Sequence, residues 1–491
     1  MGYFLRTGKK FIYVVAAGLG LSLAIALAHP AQAAGVVGNG TAASCTEAAL
    51  NQALAGGGVV TFNCGASPVT IRVAEKLISI NTTLDGGGNL ITLSGGGTNR
   101  VLRSEDNGIQ LTLKNLTIAD GFTTDQGGGV FSGFRGVLTV EGCNFTNNVS
   151  TKGGEFDGGG AIFTKSESTV RVSTSRFSGN RASNGGAINN LLSNLKVTDS
   201  VFVGNSSTRP APSGGGAAIY VDGALNGSGK IVIRRNRMSN NISANHGGGM
   251  FVQLYGTDKL VFNQNIVARN TASGTQGGSG GGLFILGNGG SGTIANLRQN
   301  IFSSNKATGL GAGLWLGTGI NANLSNNTIA NNQAVNSDIN GGQAGGIAVL
   351  DNSRVTINNS TIVNNFASSF NGAMIGGSSV TLSNTIIANN RAGNSFGVRN
   401  NCSSLMTNGG NNIEFPQRSS DSNDSNCVTG IQIIDPLLGA FINNGGLTRT
   451  IALQPSSPAI NRGNNATCST IDQRGVARPR QGICDIGAFE N

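Results

Sequence analysis

Apolar and polar positions recur along this chain in a short unit, Φ-x-Φ-x-x-(small or Asn)-x-Φ-x-x-Asn, where Φ is apolar. Leu138, Val140, Cys143, Phe145 and Asn148 make one copy. Val170, Val172, Ser175, Phe177 and Asn180 make the next. With the small position as marker, copies fall at Leu116, Cys143, Ser175, Ser200, Asn236, Asn265, Asn300, Asn327, Ser360 and Thr385. A motif returning at such intervals marks a repeat architecture. Apolar residues two apart predict a strand with one face buried. The x-x step breaks the alternation and predicts a corner, after which a second short strand ends at the Asn. No copy has the three- and four-residue apolar spacing of a helix. A strand–corner–strand unit of this size cannot bury its own apolar face, but stacked units can. The expected fold is all-β: a parallel β-helix whose coils lie ~4.8 Å apart. The closing Asn is replaced only at Gly121. Stacked Asn side chains can hydrogen-bond along such a ladder and satisfy the corner backbone.

Glycine runs stand between the copies, as at Gly127-Gly128-Gly129-Val130, Gly158-Gly159-Gly160-Ala161-Ile162 and Gly280-Gly281-Gly282-Leu283. They predict another corner followed by the coil's next strand. The paired G-G-A-(I/L/V) and F-x-x-N motifs, over residues 110 to 395, resemble those of the chlamydial polymorphic outer membrane proteins. They also resemble the wider class of secreted bacterial right-handed β-helix proteins. The resemblance implies a single-stranded, right-handed, pectate-lyase-like solenoid.

After each glycine run, Phe131, Ile162, Ile188, Ile219, Phe251, Phe284 and Trp315 read as the core stack, with neighbours such as Ser132 and Asn189 facing outward. From the fifth copy those neighbours are apolar too: Met250 and Val252, Leu283 and Ile285, Leu314 and Leu316, Ile347 and Val349. Apolarity on both faces implies a covered sheet or an exposed patch. We expect these eight residues to form a partner-binding face. The alternative is that a loop or the C-terminal region folds over them.

Residues 1–33 read as a secretory signal. Arg6, Lys9 and Lys10 precede an uncharged apolar run from Phe11 to Ala28, and Ala31-Gln32-Ala33 fits a cleavage site. No later segment is apolar enough to span a membrane. Residues 34–109 are expected to hold an N-terminal cap and the first irregular coils. There Ser44-Cys45-Thr46-Glu47 has capping-box spacing before a short helix, Ala48 to Ala55. Residues 110–395 are the regular repeats, and 396–491 the last coils and a C-terminal region. That region carries Asp435-Pro436-Leu437-Leu438-Gly439, Asn444-Gly445-Gly446-Leu447-Thr448, Asp472-Gln473-Arg474-Gly475 and Cys484-Asp485-Ile486-Gly487-Ala488-Phe489-Glu490. It is similar to the choice-of-anchor Q domain found at the C-terminal end of secreted β-helix proteins. The resemblance implies a cell-surface or extracellular setting, with outer-membrane association as one form of it.

Composition agrees with a packed chain: 38% of residues are apolar, only 11% are charged, and the net charge is +10. Six of the seven cysteines fall into near-neighbour pairs, Cys45 with Cys64, Cys402 with Cys427 and Cys468 with Cys484. Disulfides there suit an exported protein. Cys143 occupies the repeat's small position and reads as a buried free thiol. No C-x-x-C or His-rich spacing suggests a metal, and no cofactor is expected.

β-Helix folds also host polysaccharide lyases and hydrolases, so catalytic chemistry is the alternative. Inverting hydrolysis needs paired carboxylates, and a lyase needs acidic calcium ligands with a basic residue. Neither recurs on adjacent coils. Arg234, Arg235 and Arg237 are the densest basic group, and their expected role is a solvated strand edge. His246, in Asn245-His246-Gly247-Gly248, is similar to the Gly-His-Gly of polygalacturonases. Arg235 and His246 are therefore the catalytic candidates. The favoured expectation is a non-catalytic, adhesin-like structural or binding module whose partner is an extracellular polysaccharide or a surface protein. Nucleic acid is disfavoured by the export signal and the scattered charge.

Overall fold

The computed structural model describes residues 35–491 apart from 89, 211–213, 275–276, 289–291, 338–340, 351, 399 and 422–423. The expected signal, 1–33, lies outside the described residues. Strands of successive coils pair in parallel and build four sheets of 14, 14, 11 and 10 strands. The long sheet takes the first strand of each motif copy, as where Val137–Glu141 pairs with Thr169–Ser173. The short sheet takes the second, as in Asn144–Thr146 on Arg176–Ser178. A narrow sheet of two-residue strands follows the Asn, as in Phe122–Thr123 on Val149–Ser150. The glycine sheet takes the strand after each glycine run, as in Ile162–Thr164 on Ile188–Leu191. The fold is a parallel β-helix, as the apolar pattern predicts.

Both steps of the motif have a physical cause. The second x of the x-x step takes positive φ in coil after coil, at Gly142, Thr174, Asp199, Arg235 and Gln264. That left-handed turn swings the chain from the long sheet to the short one. Leu138, Val140 and Phe145 then all point into the core and are fully buried. Phe145, Phe177 and Phe202 stack at 4.8 and 4.7 Å. The closing asparagines form an unbroken buried ladder from Asn148 to Asn390. In each rung the backbone N–H and the Nδ2 both donate to the next Asn Oδ1. At Asn241 these distances to Asn270 are 3.1 and 2.9 Å. Gly121, which lacks the side chain, still donates its N–H to Asn148 Oδ1 at 2.9 Å.

Glu47–Leu54 is the α-helix. Its cap is Thr46, which accepts from the Ala49 N–H at 3.2 Å, instead of Ser44. Glu47 turns away from the cap to accept the Ala74 N–H and to pair with Lys76. Leu50 enters the solenoid core. Disulfides join Cys45 to Cys64, Cys402 to Cys427 and Cys468 to Cys484.

The C-terminal region folds back on the solenoid. An antiparallel hairpin, Leu438–Ile442 with Thr450–Leu453, leads it. Ile451, Leu453, Ala459, Ile486 and Phe489 form a second core with Ala330, Val363, Ile386 and Ala388 on the outer face of the short sheet. Beside it, residues 462–473 cross the corners of successive coils against the stacking order. Contacts run from Asn411 to Arg462 O (2.7 Å), Asn384 Oδ1 to Asn464 N (2.8 Å) and Asn359 Oδ1 to Ser469 N (2.9 Å). They continue from Asn326 to Ile471 O (2.8 Å) and Gln299 to Asp472 O (3.0 Å).

The quoted C-terminal motifs converge inside this flap. Asp472, fully buried, accepts from the backbone of Arg474, Val476 and Glu490. Arg478 donates to the Asp485 and Gly487 carbonyls and faces Glu490 at 3.5 Å. Asp472 and the two terminal nitrogens of Arg478 thus have hydrogen-bond partners that make their burial tolerable, while Arg478 Nε has only the Glu490 charge beside it.

Candidate functional site

The glycine sheet corrects the expected binding face. Its register runs Val130–Ile162–Ile188–Ile219–Met250–Leu283–Leu314–Ile347. Phe131 therefore pairs with Phe163, in one column with Asn189 and Tyr220, and not with Ile162. The sequence reading slips by one residue between Phe131 and Ile162 and again between Ile219 and Phe251. A one-residue slip exchanges the faces of a strand. Met250, Val252, Leu283, Ile285, Leu314, Leu316, Ile347 and Val349 all lie in the main core. Buried there, they offer nothing for a partner to touch. Ser132 also faces inward, in register with Val221 through Thr164 and Asn190.

The outer face instead carries an aromatic column, with Tyr220, Phe251, Phe284 and Trp315 stacked at 5.0, 5.2 and 4.1 Å. It too is buried, because corner residues pack over it. His246 lies flat on Phe284 at 4.5 Å, and Ala344 and Leu310 join the cluster. The C-terminal region covers a different sheet.

His246 belongs to this cover. Its Nδ1 accepts the Ser279 N–H at 3.1 Å, and burial pushes the imidazole down to about 4. It is neutral at physiological pH and pins one corner to the next. Arg235 sits in the turn between the long and short sheets, where it makes a two-pronged pair with Asp199 at 2.6 and 2.7 Å. That hydrogen-bonded pair holds the Asp199 carboxyl below its ordinary range. Arg235 and His246 lie in different corners, and the structure does not bring them into one site.

A groove does form where the flap ends. Along the outer face of the short sheet one column reads Asn144, Arg176, Val201, Arg237, Ile266, Ile301, Thr328, Thr361, Ile386. From Ile301 onward the flap buries it. Before that it is open, and the hairpin overhangs its edge. Two adjoining hollows of about 180 and 200 Å³ lie under this overhang and share Arg237 and Ile266. Arg269 and Arg449 flank one with Phe441. Arg235 and Asp199 flank the other with Leu447, which is 59% exposed. Arg269 donates to Asn240 at 3.1 Å. Among the described residues Arg237 and Arg449 make no ion pair, and the one acid lining the hollows, Asp199, is already paired. The groove therefore offers uncommitted guanidinium groups beside an apolar lip. That set recognises carboxylate, sulfate or phosphate groups on a partly apolar backbone.

Sequence reasoning found Arg235 and Arg237 but missed Arg269, Phe441, Leu447 and Arg449. The hairpin residues are about two hundred positions from Arg237 and carry no local signal of their destination. A second group also escaped it: Tyr255 donates its hydroxyl to Asp222 Oδ1 at 2.6 Å. Burial raises both groups above their ordinary values, and the Glu155 charge adds to the effect.

No family model, curated protein or solved structure matches this chain.

Proposed function

We propose that this protein is an exported β-helix acting at the cell surface or outside the cell as an adhesin-like binding module. Its flap-edge groove holds the anionic groups of an extracellular polysaccharide. The observation carrying this reading is the set Arg237, Arg269 and Arg449 gathered under the hairpin with a single, already neutralised acid. The C-terminal motifs support the setting, because their similarity to the choice-of-anchor Q domain is to a region of secreted β-helix proteins. Three disulfides support an oxidising compartment.

The test is calorimetric titration of the purified protein with acidic and neutral polysaccharides. Binding of acidic chains only, weakened by Arg237→Gln with Arg449→Gln, supports the reading. Equal binding of neutral chains, or binding indifferent to these substitutions, overturns it. The second reading, a polysaccharide lyase or hydrolase, rests on Asp222 with Tyr255. New chain ends formed by the wild type and lost in Asp222→Asn would establish it.

A further inference from the structure

The outer face of the long sheet carries a charge pattern that packing does not explain. Seven consecutive strands, from Thr169–Ser173 to Arg354–Asn358, contain Arg171, Lys196, Lys230, Arg234, Lys259, Arg298 and Arg354 and no Asp or Glu. All seven bases are exposed. Among the described residues none of them makes an ion pair. Four of them are also stacked in like-charge pairs. Arg171 pairs directly with Lys196, and Lys230 with Lys259. Like charges set opposite on neighbouring strands destabilise a sheet. Between the bases stand the amides and hydroxyls of Thr169, Asn194, Thr198, Asn296, Asn323 and Thr356, with half-buried Val232, Val261 and Ile294 as the apolar positions of the face.

We infer that this face is a second docking surface, for a linear acidic polysaccharide lying along the solenoid axis. The inference rests on the groove reading and extends it. Strand spacing of ~4.8 Å spreads these seven strands over roughly 30 Å, a step close to the length of one sugar unit. Acid groups along one chain therefore meet bases on six of the seven coils, Asn321–Ser325 alone supplying none. Bound anions relieve the like-charge stacking, and the amides and hydroxyls between bases pair with sugar hydroxyls. Arg234 continues into Arg235 and Arg237 around the corner, so the face runs into the groove. A flat anionic membrane would also meet the charge, but the amides and hydroxyls match sugar hydroxyls, and the apolar positions Val232, Val261 and Ile294 are half-buried and do not stand out to enter an acyl layer.

The test uses the full chain with size-fractionated polygalacturonate oligomers, neutral dextran, and vesicles containing phosphatidylglycerol. Two variants are compared: Lys196→Gln/Lys230→Gln/Lys259→Gln on the sheet, and Arg237→Gln/Arg449→Gln in the groove. All five positions are exposed, and circular dichroism checks that the fold is kept. In the wild type, affinity should climb with oligomer length until the chain spans the face. The sheet variant should bind short oligomers as the wild type does. It should bind long ones about tenfold or more weakly, with a shallower dependence on salt. Unchanged binding of long oligomers by the sheet variant, with loss in the groove variant, overturns this inference and leaves the groove reading standing. Binding to the vesicles and not to polygalacturonate overturns the choice of ligand. Failure to bind any polyanion overturns both readings.

Discussion

Thr328 donates its hydroxyl to Gln473 Oε1 at 2.6 Å, and both residues are buried where the flap meets the short sheet. Gln473 Nε2 in turn donates to the Thr448 hydroxyl and the Arg449 carbonyl, each at 3.1 Å. One side chain thus ties the solenoid to both arms of the flap. Gln473→Ala strands these groups in a dry seam and should cost about 2–3 kcal/mol. Denaturant unfolding measures it, and early proteolysis of the flap should accompany it. In a double-mutant cycle with Thr328→Val the two losses should be less than additive.

Removing a rung from the Asn ladder should cost more. Asn270 donates to Met238 O at 3.0 Å and to Asn305 Oδ1 at 3.1 Å, and it accepts from both nitrogens of Asn241. Asn270→Ala leaves several buried groups unpaired, at about 1–3 kcal/mol for each. Asn270→Asp should be worse, because a carboxylate cannot donate to Asn305 and brings a buried charge. Hydrogen exchange should show lost protection at Asn241 and the coils on either side.

Glu414 gives the fold a pH dependence. It is buried, and it accepts from Cys427 N at 2.9 Å and Asn401 Nδ2 at 3.1 Å. Burial pushes its carboxyl up to about 7. The folded state therefore holds this proton more tightly than the unfolded chain does. The stabilisation is complete below about pH 4.5 and is lost as pH rises through 7, with a magnitude on the order of 3 kcal/mol. Melting temperature should fall over that window in the wild type, and the fall should flatten in Glu414→Gln.

Cys143 should be silent in the native protein. It is 1% exposed, and burial raises its thiol to about 11. Iodoacetamide at neutral pH should leave the folded protein unmodified. In denaturant without reductant it should add one label, at Cys143, because the other six cysteines are paired.

The sequence announces the coil far better than it announces what lies on the coil. Leu138, Val140, Phe145 and Asn148 each have one structural duty, and it repeats, so strand, corner and ladder can all be read from spacing. The strand after the glycine run is harder. Apolar side chains occupy both of its faces, so period two cannot distinguish Phe284 from Leu283. Only the pairing of Val130 with Ile162 fixes which one points inward. The cysteine pairs are legible because each closes a short loop. The flap's landing place is not, because Thr328 and Gln473 meet across 145 positions. Neither residue differs from an ordinary polar residue until the seam forms. Arg449 reaches Arg237 for the same reason, and so the groove is a tertiary fact.

The strap at 462–473 also changes how load travels through the protein. Coils joined only through their sheets separate like a zipper when pulled along the axis, one row of bonds at a time. From Gln299 to Asn411 the strap lies across those seams and runs opposite to the stacking. Opening a seam there means sliding the strap along its whole footprint, so many bonds are sheared at once. Among the described residues the coils before Gln299 have no such tie, and under tension they are the ones that give.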